Sequence, residues 1–100
     1  MDDTTKKALL RAALILKEIS NTIPIIWFND HKAKRFSVGC KNGHPCLTFF
    51  ISEQNRDLKY EITLQEKNLY LVTLYHETNV IINTTTTPFD KLGVTIMKAV

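Results

Sequence analysis

The stretch Arg35-Phe-Ser-Val-Gly-Cys-Lys-Asn-Gly-His-Pro-Cys-Leu-Thr-Phe-Phe-Ile51 decides the fold. Apolar residues alternate with polar or small ones, apart from Phe50, on both sides of a central turn, as they do in half-buried strands. Asn42-Gly43 favours a tight turn because both residues adopt positive φ at low cost. The stretch therefore predicts a β-hairpin whose alternating apolar side chains face the core. These side chains are Phe36, Val38, Cys40, Leu47, Phe49 and Ile51.

The segment before the hairpin predicts a helix followed by a short strand. Residues 5–20 contain no Gly or Pro and are rich in Ala, Leu, Lys and Glu, which favour helix. Asp2 and Asp3 would complement the positive end of the helix dipole. Pro24 disfavours helix at the residue before it, so the helix is predicted to end there. The apolar residues 25–28 predict a short buried strand.

The segment after the hairpin predicts further strands and a second helix. Polar turns at 53–57, 66–68 and 77–79 separate strands at 59–65, 69–76 and 80–82, and the β-branched residues 84–87 fit an edge strand or an extended connector. Thr87 and Pro88 predict the start of a C-terminal helix. Because short turns join antiparallel neighbours, the sequence predicts an α+β fold. Its antiparallel meander sheet has five to six strands, with an N-terminal and a C-terminal helix packed on one face.

Length and composition predict an ordinary globular chain. One hundred residues, 44% hydrophobic and 23% charged, predict a single domain over residues 1–100. No apolar run approaches the length of a membrane span, and the first residues lack the basic segment of a signal peptide. We therefore expect a cytoplasmic protein that does not engage a membrane. Frequent Asn, Ile, Lys and Thr are typical of AT-rich genomes, including those of many phages, so a phage origin is compatible with the composition.

Cys40, His44 and Cys46 surround the hairpin turn, and His31 is the nearest candidate for a fourth metal ligand. Structural zinc sites usually take four such ligands, but the Cys-x2-Cys spacing typical of them is missing. A chain of this size also needs no metal for stability. We expect two reduced cysteines and no metal or cofactor. A zinc site and a Cys40–Cys46 disulfide remain open as alternatives.

Catalytic motifs are not found in the sequence. Three histidines are present without Gly-x-Ser-x-Gly or His-Glu-x-x-His, and three glycines leave little room for a phosphate-binding loop. We therefore expect no catalytic residues and a protein that is not an enzyme.

The leading hypothesis is a small regulatory protein, of inhibitor or adaptor type, that docks onto another protein. Leu10 and Leu14 lie off the main apolar arc of the first helix and are candidates for the contact. Thr84 and Thr86, at the edge formed by residues 83–87, are the alternative candidates for this contact. A homodimer is a further alternative.

Nucleic-acid binding is the competing hypothesis. Residues 29–45 carry four basic side chains and one acidic one, and aromatic residues lie among them and around them. The candidate residues within this patch and beside it are Lys32, Lys34, Arg35, Lys41 and Phe50. A cationic sheet face with aromatic rings grips single strands through phosphate pairing and base stacking. The hypothesis gains if Phe50 and Arg35 share an exposed face.

Overall fold

The computed structural model describes residues 3–66, 69–76 and 80–100. Helix α1 spans Asp3–Thr22, α2 spans Ile25–Asp30, and α3 spans Leu92–Lys98 after a 3-10 turn at Phe89–Lys91. The strands are β1 (Lys34–Lys41), β2 (His44–Glu53), β3 (Arg56–Glu66), β4 (Leu69–His76) and β5 (Ile81–Pro88). The predicted role of Asp2, part of the turn predicted at 66–68 and the whole of the turn predicted at 77–79 lie outside the described residues.

The five strands form one open sheet in the order β1-β2-β3-β4-β5, and every neighbouring pair is antiparallel. This confirms the predicted α+β meander with a helix at each end of the chain. Residues 80–82 and 84–87 were predicted as separate segments. In the structure residues 81–82 and 84–87 belong to one strand, β5, and Val80 immediately precedes it. The register passes from Ile81 to Asn83 opposite consecutive residues of β4, so Ile82 forms a bulge rather than a break.

Helices α1 and α3 pack on the same face of the sheet. The side chains from α1, α3 and the three central strands interleave into one apolar core. The hydroxyl of Tyr60 donates a hydrogen bond to the carbonyl of Ile96 at 2.6 Å, which ties β3 to α3. The Tyr70 hydroxyl donates to the Glu18 carboxylate at 3.2 Å and ties β4 to α1. The fully buried side chains of this core include Ile15, Ile19, Leu47, Phe49, Ile51, Tyr60, Ile62, Tyr70, Leu74 and Ile96.

Residues 25–28 form helix α2, so the prediction of a buried strand there is wrong. Pro24 has φ −58° and lies immediately before the first helical turn, where its missing N–H costs no hydrogen bond. Ile25 is 76% exposed and Ile26 is 65% exposed, while Trp27 and Phe28 turn towards the core. A run of four apolar residues fits a short helix as well as a strand, because periodicity cannot separate the two at that length.

The apolar side chains of β1 are also less buried than predicted. Phe36 stacks on buried Phe49 with 5.0 Å between ring centroids, so it lies on the helix-covered side as expected. However, Phe36 and Val38 are 40% and 39% exposed, and Cys40 is exposed. The reason is position, because β1 is an edge strand and, among the described residues, no further strand pairs with its outer side.

Thr87 and Pro88 end strand β5 rather than beginning a helix, so the predicted cap is wrong. The side chain of Thr87 is buried, accepts a hydrogen bond from the Thr95 hydroxyl at 2.8 Å, and makes no capping hydrogen bond. The Pro88 φ of −72° fits the extended backbone found there as well as it fits a helix.

Candidate functional site

A row of alternating cations and aromatic rings crosses the face of the sheet that the helices leave open. Lys34, Phe50, Lys59 and Tyr75 are register partners on four successive strands. The Lys59 ammonium nitrogen lies 4.7 Å from the centroid of the Tyr75 ring. The central carbon of the Arg35 guanidinium lies 5.8 Å from the centroid of the Phe50 ring. Both distances fit cation–π contacts, so one row presents positive charge and ring surface together.

A bulge in β1 explains how Arg35 reaches Phe50. The register of β1 shifts between Lys34 and Ser37, and Arg35 has φ +57° within this interval. Bulges re-aim side chains in this manner. The Lys34 ammonium lies 3.2 Å from the Asp57 carboxylate, and this hydrogen bond holds the pKa of Asp57 below its usual value. One cation of the row is therefore partly neutralised.

A cavity of about 370 Å³ with a mixed polar and apolar lining lies on the same face, between the tip of the β1–β2 hairpin and the start of β5. Its central feature is an ion pair between the Lys41 ammonium and the Glu61 carboxylate. The hydrogen bond to Glu61 raises the pKa of Lys41, and Tyr75 adds to the effect. The cavity is also lined by His44, Thr63, Gln65, Leu71, Thr73, Ile81 and Thr84.

Cys46 and Thr63 are neighbours on this face and are buried, although none of the helices in the described part of the chain packs on it. The Thr63 hydroxyl donates to the Cys46 sulfur at 3.7 Å. Burial raises the pKa of the Cys46 thiol, which keeps it protonated. A protonated thiol is a poor nucleophile, so this part of the sheet offers hydrogen-bonding groups rather than an activated attacking group.

An apolar groove of about 380 Å³ lies on the other side of the molecule, between α1, α2 and β1. Its wall contains Phe28 and Phe36, whose rings meet edge-on with 6.1 Å between centroids. Behind them, the Trp27 ring stacks on His31 at 4.3 Å, which fixes the end of α2. The lining residues are Leu16, Ser20, Ile25, Phe28, Asn29, Ala33 and Phe36.

Sequence reasoning missed this groove because it assigned Ile25 and Ile26 to a buried strand. Pro24 did not separate the two possibilities, because proline is tolerated both before the first turn of a helix and at the start of a strand. A helix at this position necessarily turns some of its four apolar residues away from the core.

The residues predicted to contact a protein do not lie together. Leu10 and Leu14 are 61% and 46% exposed on the outer side of α1, away from the sheet. Thr84 and Thr86 are exposed on β5. Helix α1 packs over β1 and β2, whereas β5 is the opposite edge strand. The two pairs therefore belong to separate surfaces.

The residues predicted to contact nucleic acid come together in part. Arg35 and Phe50 share the helix-free face, with Lys34 beside Phe50. Lys41 lies at the far end of β1 and pairs with Glu61. Lys32 is exposed in the loop before β1, with φ +53°.

The zinc and disulfide alternatives are contradicted by the register of the hairpin. Cys40 pairs with Pro45, and Cys46 pairs with Gly39. Since consecutive residues of a strand point to opposite faces, the two thiols lie on opposite sides of the sheet. Both cysteines are free, and no three His, Cys, Asp or Glu side chains in the described part of the chain are grouped as metal ligands.

In comparisons with known proteins, no family model, curated protein or solved structure matches this chain. Within residues 3–66, 69–76 and 80–100, no helix combines the length and apolar character needed to cross a membrane.

Proposed function

We propose that the protein is a small non-catalytic regulatory protein that docks onto another protein through the groove between α1, α2 and β1. The observation that carries this proposal is the exposure of Ile25 and Ile26 beside an apolar groove. Burying such a side chain is worth about 1.5–3 kcal/mol, so leaving two neighbouring ones in water is costly unless a partner covers them.

The apolar lining of the groove favours an amphipathic helix as the bound segment. A groove lined by aliphatic and aromatic side chains accepts the apolar face of a helix. Two free cysteines favour a cytoplasmic location for this interaction.

An Ile25→Asp variant tests the groove. The matched control is Val94→Asp, because Val94 is also an exposed aliphatic residue but lies on α3. Two assays measure binding: affinity capture of a partner, and binding of helical peptides selected by display. We expect Ile25→Asp to lose binding in both assays and Val94→Asp to keep it. Chemical-shift mapping should place the selected peptide on the groove. Equal binding by both variants would contradict the proposal.

A second candidate function is binding of single-stranded nucleic acid on the helix-free face. Its support is the row of Lys34, Phe50, Lys59 and Tyr75, with Arg35 over the Phe50 ring. Stacking of a base on an aromatic ring is worth about 1–3 kcal/mol, and neighbouring cations pair with phosphates.

Fluorescence anisotropy with labelled single-stranded DNA and RNA tests this second candidate. We expect binding that weakens steeply between about 50 and 200 mM salt, because phosphate contacts release counterions. Arg35→Ala should weaken binding, while Arg56→Ala serves as the control, since Arg56 is exposed beside His76. Binding that does not depend on salt, or an equal loss of affinity in both variants, would contradict nucleic-acid binding by this row.

A further inference from the structure

The Glu61 side chain is largely withdrawn from water, although it lies on the face of the sheet that carries the row of cations and rings. It is 13% exposed, while the side chain of its ion-pair partner Lys41 is 49% exposed. Among the described residues, the Lys41 ammonium is the one donor to this carboxylate, and it bonds to Oε1. A carboxylate removed from water usually accepts several hydrogen bonds. Within the described part of the chain, Oε2 therefore keeps its acceptor capacity for a ligand.

The cavity that Glu61 lines has the size and the mixed lining of a small-molecule site. Its volume of about 370 Å³ falls in the range of about 300–1,000 Å³ that such sites occupy. Leu71, Ile81 and Tyr75 supply apolar and aromatic surface, and the ion pair supplies the charge. The Lys59 ammonium lies 4.7 Å from the centroid of the Tyr75 ring. A planar ligand that carries a phosphate would meet both a ring and a cation here.

The ion pair presents its hydrogen-bonding atoms in a defined order. The Lys41 ammonium comes first, followed by Oε1 and then Oε2 of Glu61. An ammonium only donates hydrogen bonds, and a carboxylate only accepts them. A complementary ligand edge therefore offers one acceptor followed by two adjacent donors. The Watson–Crick edge of guanine has this order, because O6 accepts while N1–H and the 2-amino group donate.

The other nucleobases do not match this order. Adenine and cytosine each place an acceptor ring nitrogen beside a single amino group. Uracil and thymine place one N–H between two carbonyl groups. Each of these bases would set an acceptor against one carboxylate oxygen, and an acceptor that faces an acceptor loses its hydrogen bond. The charge pattern of the cavity therefore selects guanine.

We propose that this cavity binds guanine, with the Glu61 carboxylate accepting from N1–H and the 2-amino group and the Lys41 ammonium donating to O6. Leu71, Ile81 and Tyr75 contact the ring system of the base. The guanine belongs either to a free nucleotide or to a single strand, since both present the same edge. The site is separate from the groove between α1, α2 and β1, and it shares Tyr75 with the row on the helix-free face.

Titration of the wild-type protein with GMP, IMP and AMP, followed by calorimetry and NMR, tests the base edge without any variant. IMP is the matched control, because hypoxanthine keeps O6 and N1–H but lacks the 2-amino group. We expect saturable binding of GMP. IMP should bind about tenfold or more weakly, since one hydrogen bond to a charged group is lost. AMP should bind more weakly than GMP, and the amide resonances that GMP shifts should be those of the residues lining the cavity.

A Glu61→Gln variant tests the carboxylate at nearly constant volume. Glutamine offers one acceptor oxygen in place of two, so GMP affinity should fall about tenfold or more and the preference for GMP over IMP should shrink. Glu53→Gln is the matched control. Glu53 also pairs with a basic side chain, the His31 ring at 3.8 Å, but it does not line the cavity. Ile25→Asp should leave GMP binding unchanged, so failure of the groove and failure of this site can be told apart.

A uridine strand with one guanosine, compared with the same strand carrying inosine, distinguishes the two sources of guanine. Binding of the guanosine strand that is much tighter than binding of GMP assigns the site to single strands. Equal or weaker binding assigns it to free guanine nucleotides. The proposal is overturned if neither GMP nor the guanosine strand binds, or if hypoxanthine or adenine replaces guanine without loss of affinity. Binding that Glu61→Gln leaves unchanged, or that Glu53→Gln weakens equally, overturns it as well.

Discussion

Replacement of Gly93 by alanine should destabilise the protein, although alanine is the better helix former. Gly93 lies in α3 where this helix meets the end of α1, and it is buried. A Cβ atom at this position would lie 2.8 Å from Thr22 Oγ1, 3.2 Å from Thr22 Cβ and 3.3 Å from Ile23 Cγ1. Carbon contacts are optimal near 3.5–4.0 Å, so all three distances are too short.

The expected magnitude follows from two opposing effects. Inserting a methyl group into a well-packed contact costs about 1–3 kcal/mol. The higher helix propensity of alanine offsets at most about 1 kcal/mol of this loss in the free energy of unfolding. Thr22 cannot relieve the clash without cost, because its hydroxyl donates to the Glu18 carbonyl at 3.0 Å, and rotation would leave its Cβ in place. We expect a net loss of about 1 kcal/mol, which for a chain of this size lowers Tm by about 4–8 °C.

Urea and thermal unfolding of Gly93→Ala, Thr22→Ala and the double variant measure the effect and its cause. Thr22→Ala removes the nearest atom, so the loss caused by Gly93→Ala should shrink by about 0.5 kcal/mol or more in the double variant. Gly39→Ala is the control, because nothing lies within 4 Å of a Cβ there, and its Tm should change little. An increase in stability for Gly93→Ala, or a loss that Thr22→Ala leaves unchanged, would refute the reasoning.

Two further predictions concern titratable side chains. Iodoacetamide should modify exposed Cys40 much faster than Cys46, because Cys46 is buried and burial raises the pKa of its thiol. Peptide mass spectrometry measures both rates, and equal rates would contradict the burial of Cys46. Burial, with the nearby Glu18 charge, raises the pKa of Tyr70 to about 12, and burial raises the pKa of Tyr60 above its usual value. Since the folded state retains these protons, their contribution to stability is complete below pH ~10, the pKa of free tyrosine, and disappears as the pH rises through about 12. The urea midpoint should therefore fall above pH ~10, and Tyr70→Phe should reduce this fall.

The hairpin shows how far local sequence carries the fold. Asn42 and Gly43 have φ +53° and +83°, as the turn chemistry of this pair predicts. Strand β2, which follows the turn, keeps the predicted alternation, with Leu47, Phe49 and Ile51 buried. These features depend on residues close in sequence, where backbone preference and period-two alternation act directly.

The candidate surfaces depended on information that local sequence does not contain. The alternation in β1 predicts which side Phe36 faces, but its exposure follows from the position of β1 at the edge of the sheet. The contact between Arg35 and Phe50 required a bulge that no residue pattern indicated. Helix α2 was missed because four apolar residues after a proline fit two secondary structures equally well.

By itself, the sequence determined the fold class, the Asn42-Gly43 turn and which side chains of the central strands face the core. These follow from short-range backbone preference and from burial periodicity, which act before any tertiary contact forms. Only the tertiary structure decided which apolar residues stay in water. Ile25, Phe36 and Ile81 are as apolar as their buried counterparts. Phe36 and Ile81 are exposed because they lie on the two edge strands, and Ile25 is exposed because helix α2 turns it away from the core.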